Sequence, residues 1–299
     1  MMTMPRFVDR QVPVKDEIFL DHVAHFVADL DVAGVQFQRL GFSCSDVNLQ
    51  TNLGDDGIAR PSGTSNRLIR LRRGFLEILA ATYDTPLAAQ LKAAHSRYEG
   101  VHLLAFSHAD LESKRVRLIA DGFEMQPIVH MRRKEPGSEK QVAWSVLRPE
   151  PHVMQEGRIQ FAYPHTPELS WPPGSTEHPN GAGSLTGVML CVRDIQEATK
   201  RYEIYLGREA AKNRIWLDRG NIAFMTSAEP FEAGPEFVIP ALPYVCAVTI
   251  STKDLNHTRS ALRLNGVMPL FDSSSILWVG PEDAMGCYLG FHEQSHVPF

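Results

Sequence analysis

Two side chains able to hold a metal or move a proton stand where apolar residues are the rule. His22 lies within residues 19–27 (FLDHVAHFV) and Glu77 within residues 74–79 (GFLEIL). A carboxylate inside an apolar strand is costly to bury unless it is paired, hydrogen-bonded or metal-bound. His22 reads either as a core histidine bonded to backbone or as a functional imidazole, and Glu77 tilts the balance toward the second. Thr64 and Asn66, in the run GTSN at 63–66, either meet a substrate or satisfy a turn. His102 and Gln160 sit in later apolar strands. His165, Glu168 and His178 fall in a connector, where they would act as late ligands or as acid/base groups at the mouth of a site.

The elements that must position these groups repeat four times. An apolar strand runs into Asp-Leu or Asp-Ile, a helix of about three turns follows, and a glycine ends it. The openings are residues 19–30, 101–111, 185–195 and 244–255, and the glycines are Gly41, Gly122, Gly207 and Gly266. In the first unit, alternation puts Leu20, His22, Ala24 and Phe26 on one face, with Asp21, Val23, His25 and Val27 on the other. His25 is expected to pack against the helix, and Asp29 or Asp31 to cap it. Later strands are expected at 68–79 (two, joined at Arg73-Gly74), 141–146, 158–163, 214–217, 221–225, 276–279 and 287–292, with a short helix at 86–96. Residues 164–183 (PHTPELSWPPGSTEHPNGAG), rich in Pro and Gly, mark the best domain boundary and are long enough to wrap over a site.

Composition bounds the function. The 299 residues are 43% hydrophobic with a formal net charge of −5, which argues against a nucleic-acid surface. The one basic run, residues 67–73 (RLIRLRR), alternates as a strand with a solvated face would; Arg70 on it is the residue able to neutralise an anionic substrate. No apolar run is long enough to span a bilayer. Cys44, Cys191, Cys246 and Cys287 form no CxxC pair and read as core thiols in a reducing cytoplasm.

A βαβββ unit carrying Leu20-Asp21-His22-Val23, Ala28-Asp29-Leu30, Leu40-Gly41-Phe42, Gly63-Thr64-Ser65-Asn66 and Gly74-Phe75-Leu76-Glu77 resembles the vicinal oxygen chelate superfamily. That group includes glyoxalase I, extradiol dioxygenases and fosfomycin and bleomycin resistance proteins. The Gly-Thr-x-Asn element looks like the glyoxalase-like proteins in particular. The resemblance implies an α+β fold of four βαβββ modules: a glyoxalase-like domain at 17–168, the connector at 164–183 and a second such domain at 184–299. It also implies a cup holding a divalent metal (Fe, Mn, Zn or Ni) through residues on the first and last strand of each module. His22 and Glu77 fill two of those places. In module two the same count from Asp110-Leu111 reaches Leu103, so that His102 would need a one-residue bulge to turn inward. Aligning Gly157 with Gly74 sets Gln160, a weak amide ligand, against Glu77. The corresponding positions are Gly187 and Ala223 in module three, and Ala247 and Gly290 (or Leu289) in module four. Neither pair binds a metal.

The expectation is therefore a metalloenzyme working in the N-terminal half. Its metal ligands would be His22, Glu77, His102 and Gln160, with Glu77 or His165 moving protons and Thr64, Asn66 and His178 meeting a small oxygen-bearing substrate. Isomerase, lyase and extradiol-dioxygenase-type chemistry all fit that description. The alternative is a metal-free protein of the same fold that binds or sequesters a small molecule. Neither reading calls for nucleic acid or a membrane, and modules three and four would serve as scaffold or as a homodimer surface.

Overall fold

The computed structural model describes residues 8–53, 59–134, 140–228, 231, 234–293 and 298–299. The first unit contains β1 (Phe19–Phe26), α1 (Leu30–Arg39), β2 (Asn48–Leu53), β3 (Ala59–Arg70) and β4 (Phe75–Ala81), followed by a linking helix, α2 (Pro86–His95). The second contains β5 (Gly100–Ser107), α3 (Leu111–Ala120), β6 (Val129–Lys134), β7 (Gln141–Leu147) and β8 (Arg158–Pro164), with the single turn α4 (Pro167–Ser170) in the connector. The third runs through β9 (Ala182–Cys191), α5 (Ile195–Leu206), β10 (Ala210–Ala211), β11 (Arg214–Trp216) and β12 (Asn221–Met225). The fourth comprises β13 (Tyr244–Thr252), α6 (Leu255–Leu264), β14 (Phe271–Asp272), β15 (Ile276–Val279) and β16 (Tyr288–Glu293).

The Asp of each Asp-Leu or Asp-Ile pair has a defined job. Asp29, Asp110, Asp194 and Asp254 are the N-caps of α1, α3, α5 and α6, each carboxylate accepting from backbone N–H groups of the first turn. The apolar residue that follows begins the helix and, in α1, α3 and α6, is buried. Gly41, Gly122, Gly207 and Gly266 all adopt positive φ where the helices end. The linking helix is capped by Thr85, with Pro86 in its first turn.

In every unit the first and last strands pair in parallel: β1 with β4, β5 with β8, β9 with β12 and β13 with β16. Units then join through antiparallel pairs, β1 with β5 and β9 with β13. A single pair, Val245 with Val101, carries the sheet across from β13 to β5, so all sixteen strands form one curled, unclosed sheet. The main core lies between this sheet and the helices, around Phe37, Phe106, Tyr202 and Phe291. Among the described residues no helix is long and apolar enough to cross a membrane. Cys191, Cys246 and Cys287 are buried, and none is in a disulfide among the described residues.

Two expectations change. The basic run at 67–73 is not a solvated face: Arg67 binds Leu30 O and Asp31, Arg70 Nε donates to Ser170 O, and buried Arg73 pairs with Asp9. The strands preceding β3, β7, β11 and β15 were not expected individually, because β2 and β6 are polar and β10 and β14 have two residues each.

Close strand contact sets the main backbone constraint. Gly74, at φ +76°, sits where a Cβ would come within 2.6 Å of Asp21 O. Gly74→Ala is therefore expected to cost about 1–3 kcal/mol in urea unfolding. Gly122→Ala, with open space around a Cβ, is expected to cost only its dihedral strain, roughly 1 kcal/mol.

His25 packs edge-on against Phe37 of α1, with Nδ1 lacking a hydrogen-bond partner among the described residues. Burial, with a smaller contribution from His102, pulls its pKa from 6.5 to about 3. The unfolded chain then binds the extra proton, so stability is full above pH 6.5 and falls as pH drops toward 3. The urea midpoint is expected to decline through that window, and less steeply in His25→Leu.

Candidate active site

A cavity of about 420 Å³ opens within the strands of the first two units, a volume suited to a small organic ligand. His22, Thr64, Asn66, Glu77 and Gln160 all line it. The strand registers explain why. His22 lies opposite Phe75 and Ala24 opposite Glu77, while Leu103 lies opposite Arg158 and Ala105 opposite Gln160. Leu103 thus holds the place equivalent to His22, and Gln160 the place equivalent to Glu77. The same registers pair Gly187 with Asn221 and Met189 with Ala223, then Ala247 with Tyr288 and Thr249 with Gly290. That hollow is filled by its own side chains, including Met189, Met225, Tyr244, Trp278, Tyr288 and Phe299.

The β1 register slips between Leu20 and His22, leaving Asp21 as an extra residue. Alternation alone sends Asp21 to the helix face; the bulge instead lets both Asp21 and His22 reach the cavity. Asp21 Oδ2 lies 2.6 Å from His22 Nδ1, and the imidazole stacks on Phe75 with ring centroids 4.2 Å apart. Held at Nδ1 and across its face, His22 presents Nε2 as the nitrogen left for a ligand. Arg219, from the loop before β12, donates to Leu20 O and acts electrostatically on Asp21.

Glu77 is held by a polar network. Its Oε1 accepts from Asn66 Nδ2 at 2.5 Å and from Gln50 Nε2 at 3.2 Å, while Gln50 Oε1 accepts from Thr64 Oγ1 at 2.5 Å. Thr64 and Asn66 therefore orient the carboxylate as well as lining the cavity. Two groups that sequence reasoning did not single out complete the wall, Arg148 and Arg158. Arg148 Nε donates to Gln160 Oε1 at 2.8 Å. Burial lowers the pKa of both guanidiniums, that of Arg148 to about 9, and Glu77 opposes the shift in each. Their signal in the sequence was parity: Arg148 continues the Trp144, Val146 face, and Arg158 follows Gly157 as Phe75 follows Gly74.

Three expected residues stand elsewhere. The bulge that His102 needs does occur, between the pairs Ala24–Leu103 and His25–Val101. The imidazole, however, stacks on Tyr98 at 4.0 Å and its Nε2 lies 2.8 Å from Tyr98 O, so it forms no part of the cavity wall. His165 is exposed, its Nε2 lying 2.6 Å from Ser145 Oγ, which also meets His130 Nδ1 at 2.7 Å. His178 is spent on structure: Nδ1 accepts from Ser43 N–H and Nε2 meets Arg70 O. The connector instead gives Pro164, Ser170 and Trp171 to the cavity.

These residues do not fit a divalent metal. With Leu103 in one ligand place and Gln160 Oε1 taken by Arg148, only His22 and Glu77 remain, beside two guanidiniums that repel a cation. Among the described residues no three His, Cys, Asp or Glu side chains converge as a metal set.

Comparison with known proteins places this geometry. A family profile described as a glyoxalase-like domain matches residues 20–206. No curated protein matches the chain significantly. Among solved structures, a hypothetical protein from Staphylococcus aureus superposes with a TM-score of 0.58 at 13% identity, covering 92% of this chain and 99% of that one. A mutant 4-hydroxymandelate synthase from Streptomyces coelicolor gives 0.57 at 13% identity, covering 94% and 95%. A catechol 2,3-dioxygenase gives 0.53 at 14% identity, covering 92% and 87%. At such identities these likenesses speak for the fold alone. With a profile spanning more than half its length, the chain belongs to the glyoxalase-like domain family.

Proposed function

We propose that the N-terminal cup is the active site of an enzyme that moves a proton on a small oxygen-bearing substrate, with His22 as the base and no resident metal. The observation that carries this reading is the Asp21–His22 pair facing a cavity of substrate size. A buried carboxylate on Nδ1 fixes the tautomer and favours the imidazolium that forms when Nε2 takes a proton.

In the proposed step, Nε2 removes a proton from the carbon next to a carbonyl. The electron pair moves to the carbonyl oxygen, and the positive field of Arg148 and Arg158 offsets the enolate charge. For a 2-hydroxy carbonyl substrate, transfer of the hydroxyl proton to the enolate oxygen through Glu77 and return of the first proton to the former carbonyl carbon complete an isomerisation; loss of a β substituent with its bonding electrons, protonated by Glu77, completes a lyase reaction. Glu77, held by Asn66 and Gln50, is the second proton carrier. On this reading residues 17–168 form the working half, 164–183 its cover and 184–299 its scaffold.

Deuterium uptake from D2O into a panel of small ketones, aldehydes and 2-oxo acids, followed by NMR, tests the proposal. Wild-type protein is expected to catalyse exchange at the carbon beside the carbonyl of at least one class. His22→Gln is expected to slow it by about 10²–10⁴-fold, and Asp21→Asn by at least about tenfold. Ligand binding without exchange, equal in wild type and His22→Gln, would instead mark a sequestering protein.

A further inference from the structure

Resting on that reading, we propose that Arg148 and Arg158 seat the carboxylate of the substrate, which is a monoanion with an apolar or aromatic body. The two guanidiniums line the same cavity from β8 and the end of β7. Arg148 spends its Nε on Gln160, and Arg158 reaches only Gln90 Oε1, at 3.5 Å. Neither makes an ion pair with a carboxylate among the described residues, although Glu77 acts on both through space.

Both arginines are half-buried; a cation that loses hydration without a direct counter-ion is costly, and a planar guanidinium is shaped to take a carboxylate through two parallel hydrogen bonds. Charge sets the valence of the ligand. Two carboxylates, of Asp21 and Glu77, and three guanidiniums, of Arg70, Arg148 and Arg158, line the cavity. One positive charge remains, which a monoanion cancels and a phosphate dianion overshoots. The remaining wall sets the body of the ligand: Leu79, Leu91, Leu103, Val142 and Trp144 enclose it, with Trp171 from the connector. Such a surface rewards a ring or short alkyl chain and gives a small polar anion little to bind.

Calorimetric titration of the whole protein with 4-phenylbutanoate, its neutral amide and a series of short alkanoates tests this. The acid is expected to bind at least about tenfold more tightly than the amide, and Arg148→Met and Arg158→Met are each expected to lose about ten- to a hundredfold of that affinity. Removing a half-buried cation that has no direct counter-ion is also expected to leave the melting temperature of the unliganded variants unchanged or raised, whereas an arginine kept for structure would lower it. His22→Gln is expected to keep the affinity for the acid, so lost deuterium exchange there leaves the anion seat standing. Equal binding of acid and amide, no binding by any of the acids at millimolar concentration, or unchanged affinity in both arginine variants overturns the proposal.

Discussion

At the bulge in β1, two consecutive side chains, Asp21 and His22, reach the same cavity, and the chemistry of the cup depends on that irregularity. In a regular strand they would point to opposite faces, with Asp21 turned toward the apolar core. The bulge is held from outside. Gly74, lacking a Cβ, lets the turn before β4 lie against Asp21 O, and Arg219 reaches from the third unit to Leu20 O. The second half of the chain therefore supports the first where the proposed base, His22, is set. Its Arg219 also stacks over Phe19, with the guanidinium 4.5 Å from the ring centroid.

Four units with one register have diverged by what fills equivalent places. Those of the first unit hold His22 and Glu77; those of the second hold Leu103 and Gln160, with Arg158 where the first has Phe75. In the third and fourth, Gly187, Ala223, Ala247 and Gly290 carry no chemistry, and aromatic and sulfur side chains close the hollow. Gly187 and Gly290 are also space requirements: a Cβ would come within 2.9 Å of Phe299 at the first and 2.8 Å of Trp278 at the second. There the places lack both polar groups and open volume.

Much of the fold was legible because its signals are local. The four Asp caps and four closing glycines each satisfy a helix end; counting back from the caps reached the first-strand places Leu103, Gly187 and Ala247, and aligning Gly157 with Gly74 reached Gln160. His22 and Glu77 were legible as polar groups in apolar strands. Asp21 was not, since period-two alternation assigns it to the wrong face and nothing local announces the bulge. His102 failed differently: its bulge exists, but Tyr98 captures the ring. Arg148 and Arg158 were passed over because arginine near a strand end ordinarily reaches solvent. Only the curl of the sheet turns them toward Glu77. His165 and His178 lie in a connector whose path depends on tertiary packing, which alternation and caps do not encode.

In the proposed enzyme guanidiniums supply the positive charge that a metal cup takes from its ion, and His22 and Glu77 serve protons. Calorimetric titration of chelator-treated protein with Mn²⁺, Fe²⁺, Ni²⁺ and Zn²⁺ measures this directly. The expected result is no saturable binding that His22→Gln or Glu77→Gln removes. Stoichiometric, micromolar binding of any of these ions, lost in either variant, would contradict it.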